Sequence, residues 1–234
     1  MTVRFDAITL EWLGLATVRL EGQTGAVVYT DPGPERAGVL DGSEPRDGDL
    51  ILVSHDHHYD PDSIRRVARD DALVVVHESI DGSEIEGISE RPEDLPFDVE
   101  RVRADESFVL GPLDLFTTPA YNDPDGPHTN EEGVPYHPEG RGCGFGITID
   151  GVTVFWPGDT DGHDVHDTVS VDCFLPPIDG TVTMDRHAAA SLADRIEPDL
   201  VVPVRYDTVP ETEADVDAFV VDVARRGIPV ALDG

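Results

Sequence analysis

Short runs rich in Val and Ile, bounded by Gly, Pro or Asp, recur along almost the whole chain: 8–12, 17–21, 26–30, 50–54, 73–77, 107–110, 113–117, 144–149, 153–156, 173–175, 200–204 and 230–232. Their length and punctuation predict strands. Helical patterns are fewer. Residues 61–68 follow Asp60, an N-cap, with Pro61 at the first helical position, where its missing N–H costs nothing. Residues 185–196 follow a Thr/Asp start signal and stop before Pro198. Residues 212–226 place Val216, Phe219, Val220 and Val223 on one face, and Gly227 and Pro229 close that pattern as a helix end. Early strands are joined by turns and later ones alternate with helices, which predicts an α/β protein with stacked sheets and helices outside. No repeat or linker divides residues 1–234, so one domain is expected. The one long stretch without an element, 119–142, is rich in Pro, Gly, Asn, Asp and Glu; a loop of that length in a compact domain is usually functional or disordered.

Charge narrows the setting. The chain carries 49 Asp and Glu against 16 basic residues, all of them Arg, for a net charge of −33. Such a surface repels itself unless counter-ions screen it. At molar salt the Debye length is about 3 Å and the repulsion is largely removed. The composition therefore suggests a cytoplasmic protein of an extreme halophile. Circular dichroism should show secondary structure lost below ~0.3 M salt and kept at molar salt, since screening weakens as salt falls. A melting temperature equal at both salt levels would contradict that reading. No apolar run approaches the ~20 residues that span a bilayer, and the N-terminus lacks the apolar stretch of a signal peptide. Cys143 and Cys173 lack metal-type spacing and read as free, buried thiols of a reducing compartment.

The chemistry concentrates after the run 49–54 (DLILVS), which passes directly into HDHHYD, His55 to Asp60. Alternate residues beyond a strand end can point the same way, so His55 and His57 can aim both imidazoles at one point. Neutral imidazole is the commonest protein ligand for zinc-like metals. Further on, WPGDTD (156–161) sets Asp159 in a Gly-flanked turn after a strand. YHPEGRGCGFGITIDG (136–151) sets His137 at the edge of the long loop.

With these segments the sequence resembles the metallo-β-lactamase superfamily, and within it the UlaG-like group of metal-dependent hydrolases. The matching segments are WLGLATVRL (12–20), TDPG (30–33), LVSHDH (52–57), TPAYN (118–122), HPEGRGCGFGITIDG (137–151), PGDTD (157–161), PIDGTVTMD (177–185) and VVPVRYDT (201–208), in the family's order. The resemblance implies a four-layer αββα sandwich with metal at its mouth. His55, His57 and His137, with His128 as the alternative loop ligand, would form the first site, and Asp159 would bridge to a second. It implies a divalent metal, zinc with manganese as the alternative, that activates a water against a small ester, lactone, amide or phosphoester.

Departures from the family pattern bear on the second site. HDHHYD stands where the family has HxHxDH, so Tyr59 and Asp60 replace an Asp and a His. A one-residue slip would make Asp60 a carboxylate ligand; otherwise it caps the helix at Pro61. VVPVRYDT supplies Arg205 in place of a His, and a guanidinium has no lone pair to donate. Leu15 stands where relatives commonly have a His. One metal per chain is therefore expected, with Arg205 either offsetting Asp60 and Asp159 and holding a substrate anion, or forming a structural ion pair. Asp159 and Arg205 are the candidate catalytic residues. His58, His77, His163, His166 and His187 carry no motif role and read as exposed or hydrogen-bonded, with His163 and His166 near the pocket. Tyr121 and Asn122 would shape the pocket, and Thr183 and Asp185 would start a helix. No Gly-rich phosphate loop, Ser nucleophile elbow or nucleic-acid motif is found. The partner implied is a small-molecule substrate, with no nucleic acid and no membrane. Besides the hydrolase, the sequence admits a non-catalytic relative that binds a ligand or partner, and, less well, a nuclease of the same superfamily.

Overall fold

The computed structural model describes residues 2–33, 40 and 42–232. Two mixed sheets carry the fold. The first holds β1 (Thr2–Phe5), β2 (Ile8–Gly14), β3 (Thr17–Gly22), β4 (Val27–Thr30), β5 (Gly48–Val53), β6 (Ala68–His77) and β7 (Asp98–Val102), side by side in chain order. It is antiparallel from β1 to β4 and parallel from β4 to β7. The second holds β8 (Ser107–Leu110), β9 (Leu113–Pro119), β10 (Cys143–Ile149), β11 (Val152–Trp156), β12 (Cys173–Phe174) and β13 (Leu200–Val201), again neighbouring in chain order. Its last two pairings are parallel and the rest antiparallel.

The two-residue period of a strand sorts the side chains into layers. Leu50 and Leu52 of β5 face inward with Val18, Leu20, Phe145, Ile147, Val154 and Trp156, making the core between the sheets. Ile51 and Val53 face outward, where α1 (Pro61–Val67) covers them with Ile64 and Val67. On the other side Phe155, Phe174 and Val201 face Leu192, Ala193 and Ile196 of α2 (Arg186–Ile196) and Phe219 and Val223 of α3 (Val216–Ala224). Helix, sheet, sheet, helix: this is the αββα sandwich expected. Cys143 and Cys173 are free and buried, and no described helix is long and apolar enough to cross a membrane.

Some elements differ from expectation. β7 was not expected; it reads DVERV, a charged edge strand that pairs with β6 on one side and keeps most of its side chains exposed, a pattern that discourages further pairing. Of the expected strand 200–204 only Leu200–Val201 forms, because Pro203 has no N–H for a ladder. Val204 makes a single bridge to Pro177, and Val230 one to Val201. α3 begins at Val216 rather than 212, since Asp215 caps it by accepting from the Ala218 N–H, while the Thr212 hydroxyl is occupied in the preceding turn by Thr208 and Val209.

Candidate metal centre

The carboxyl ends of β5, β9, β11 and β13 meet at one rim, and the loops that follow them carry the site. Beyond β5 the backbone of His55 bridges to Gly142, and residues Asp56–His58 turn in a single 3₁₀ turn. That turn fans three imidazoles: the His55 ring lies 5.1 Å from His57 and 4.7 Å from His58, centroid to centroid. His137, from the long loop, lies 4.9 Å from His55 and 5.2 Å from His57. One ligand atom from each of His55, His57 and His137 falls within 4.8 Å of the others, and the same holds for His55, His58 and Asp159.

The partners of these rings fix which nitrogen is free. Asp31, fully buried at the end of β4, accepts from the Ser54 N–H, the Ser54 hydroxyl and the Trp156 indole. With its hydrogen given to Asp31, Ser54 Oγ accepts from Nδ1 of His55 at 2.9 Å, leaving the lone pair on Nε2. Likewise Asn122 Oδ1 accepts from His137 Nδ1 at 3.1 Å, freeing Nε2, which sits 3.3 Å from His57 Nδ1. Burial pushes the pKa of His55 well below its ordinary value and lowers that of His57, so both favour the neutral, ligating form. His55 Nε2 and Asp159 Oδ1 are buried without a hydrogen-bond partner. Buried polar atoms rarely stay unpaired without reason, and a divalent cation satisfies a lone pair and a carboxylate oxygen at once. The donor set fits a metal at this position.

A different arrangement holds beside it. Asp159, in the turn after β11, points Oδ2 at Arg205 Nη1 (3.0 Å), His137 Nε2 (3.2 Å), His58 Nε2 (3.5 Å) and His55 Nε2 (3.6 Å). Burial alone would raise its pKa; the Arg205 guanidinium beside it outweighs that and holds the carboxyl well below the usual carboxylate range. Arg205 also donates through Nε to Asp179 Oδ2 at 2.9 Å and through Nη1 to His58 Nε2 at 3.3 Å. Its backbone is left-handed (φ 57°), and its N–H donates to the carbonyl of Leu15, itself left-handed at φ 45°. Two of the positions that depart from the family pattern, Leu15 and Arg205, are thus in contact. Asp179 is held in turn by the N–H groups of Thr181 and Val182 and the Thr183 hydroxyl.

His55, His57, His137 and Asp159 converge, and Arg205 joins them through Asp159. Asp60 does not: its Oδ1 accepts from the Asp62 and Ser63 N–H groups, because Pro61 starts the helix there and turns the carboxylate toward the exposed amides. The expectation of Asp60 as a ligand, or as partner to Arg205, is corrected. Tyr59 is buried with Ile64 and Val67 beneath the first sheet. His58, read from sequence as lacking a role, is 3% exposed and stands between Asp159 and Arg205. Asp179 was also missed; the Asp-Gly-Thr of PIDGTVTMD, a turn signal in which Asp caps its own backbone two residues on, could have marked it as fixed in place.

His128 pairs with Asp161 at 2.6 Å, whereas His137 stands beside His55 and His57. His163 stacks on Tyr121 at 3.9 Å, and His166 donates to the Pro119 carbonyl. His77 bonds Ser79 and His187 faces Asp222. Asp185 caps α2, as expected.

Two cavities meet over His57, Tyr136, His137 and Asp159. One, of about 230 Å³, extends past His55 to Asp56 and Arg141; the other, of about 430 Å³, extends past Arg205 to Leu15, Val182 and Val209.

A sandwich of this topology with imidazoles at its rim defines a class, and a family model described as a beta-lactamase superfamily domain matches residues 9–205. The chain belongs to the beta-lactamase superfamily, with the metallo-β-lactamase fold. More particularly, it is 30% identical to a UPF0173 metal-dependent hydrolase of Methanoculleus marisnigri over 230 residues, 95% of this chain and 92% of that one. It is 29% identical to a UPF0173 metal-dependent hydrolase of Methanosphaerula palustris over 214 residues, 90% of this chain and 88% of that one. Among solved structures it shares its fold with Igni18, a metallo hydrolase of Ignicoccus hospitalis, at a TM-score of 0.70 and 22% identity, covering 97% and 94% of the two chains.

Proposed function

We propose that the chain is a metal-dependent hydrolase that holds one divalent ion, zinc or manganese, through His55, His57 and His137, and cleaves a small ester, lactone, amide or phosphoester. The observation that carries this reading is His55 Nε2, buried and unpartnered beside two further imidazoles, with its tautomer set by Ser54 and Asp31. An ion held there would supply Lewis acidity for activating water and polarising the bond under attack. The chain's own groups do the rest. Asn122 orients His137, and Asp31 acting through Ser54 orients His55. Asp159 keeps a buried Oδ1 without a partner, free to accept a hydrogen bond, while Arg205 neutralises Oδ2.

A count of one rests on Arg205. Its guanidinium takes up Asp159 and His58, the groups that a second ion would need. At 4–6 Å and an effective dielectric near 20, a fixed single charge repels a dication by about 6–8 kcal/mol before relaxation. Purified at molar salt without chelator, the protein should carry one metal per chain by elemental analysis. A metal-free protein that takes up none on dialysis would overturn the hydrolase reading, and two well-occupied ions would overturn that of Arg205.

A further inference from the structure

We infer that the substrate of this site is an uncharged acyl compound (an ester, lactone or amide) with an apolar group seated in the larger cavity, and that phosphoesters are excluded. The inference rests on the hydrolase reading and narrows it. In the cavity of about 430 Å³ the apolar lining is Leu15, Tyr136, Val182 and Val209. Cavities of this size that are mostly apolar, with a few polar groups at one end, suit small organic molecules oriented by their polar end.

Charge decides between acyl and phosphoryl. Among the described residues lining this cavity Arg205 is the permanent cation, set against Asp159, Asp179 and Glu211. That leaves a net of two negative charges, which one divalent ion cancels. A substrate then meets no surplus of positive charge, the condition that suits an uncharged ligand and fails to repay the desolvation of a phosphate. Arg205 does not make up the difference: its single positive charge is already counted in that balance, and its Nε and Nη1 face Asp179, Asp159 and His58. Enzymes that cleave phosphoesters with metal pairs use the second ion to clamp the attacking and leaving oxygens; here a guanidinium already bound to two carboxylates stands in that place. Hydrolysis of an acyl substrate needs less. One water oxygen bonds to the acyl carbon, the acyl–O or acyl–N bond breaks, one water proton ends on the leaving atom, and the other is released with the acid.

Binding and turnover test this separately. In molar salt, isothermal titration of the metal-loaded protein with N-methylbutyramide and with butyl phosphate should detect the amide and show at least about tenfold weaker binding of the phosphate. Val209→Asp and Val182→Asp, each with unchanged metal content and a melting temperature close to that of the parent, should weaken amide binding about tenfold. Turnover of p-nitrophenyl butyrate should exceed that of p-nitrophenyl phosphate and bis-p-nitrophenyl phosphate at least about 100-fold in kcat/KM. Tighter binding of butyl phosphate, amide binding insensitive to both Asp variants, or preferred turnover of a phosphoester would overturn the inference. Amide binding as expected with no turnover of any ester would uphold the cavity assignment and overturn the hydrolase reading instead.

Discussion

His57→Ala should lower metal affinity by more than about 100-fold, beyond the 10–100-fold typical of losing an outer-shell partner, and abolish hydrolysis while leaving the fold intact. The expectation follows from where His57 stands. Its side chain is 60% exposed, so removing it empties no core, yet its Nδ1 faces the His137 nitrogen at 3.3 Å. Exposed substitutions usually change stability by less than about 0.5 kcal/mol. Elemental analysis after dialysis against limiting metal, paired with thermal melting at molar salt, separates the outcomes. Undiminished metal content would remove His57 from the site; a large drop in melting temperature would make it a structural residue. The buried His55 is the wrong residue for this test, because its loss would mix both effects.

Arg205→Ala should destabilise the protein by about 3–5 kcal/mol, the usual cost of breaking a buried ion pair by removing one partner. The guanidinium lies between Asp159 and Asp179, 3.0 and 2.9 Å away, with all three side chains almost fully buried. Without it two carboxylates share one dry site, and one of them must take up a proton or draw in a cation. Added salt should restore little, since screening acts weakly on buried charges. Urea melts at molar salt measure the loss directly, and a change under about 1 kcal/mol would show that the pair does not hold this end of the sandwich together. Arg205→Lys should recover only part of the loss, because an ammonium cannot reach both carboxylates with a planar fork.

The parts of this protein legible along the chain are those set by local rules. DLILVS alternates inward Leu with outward Ile and Val, so β5 and the layer on each of its faces could be read from residues 49–54, and His55 and His57 placed at its end. Pro61 after Asp60 determined where α1 begins, whichever way the rest of the loop turned. The order of eight short segments was enough to indicate the sandwich. β7 was not legible because DVERV has neither alternation nor apolar weight; it is a strand only because the exposed edge of β6 offers it a ladder.

Around the site the same division holds. Local sequence offered Asp60 two roles, ligand or cap, with no means to choose. Only the helix at Pro61, with its amides left open in the assembled loop, assigned it to the cap and let His58 swing inward instead. Arg205 could be seen to be no ligand, because guanidinium chemistry is independent of context. That its partners are Asp159 and Asp179, 46 and 26 residues earlier in the chain, depended on β11, the 177–185 loop and β13 ending at one rim. Periodicity and turn chemistry act over a few residues and are written in the chain; pairing of buried charges acts across the fold and exists only once the sheets have stacked.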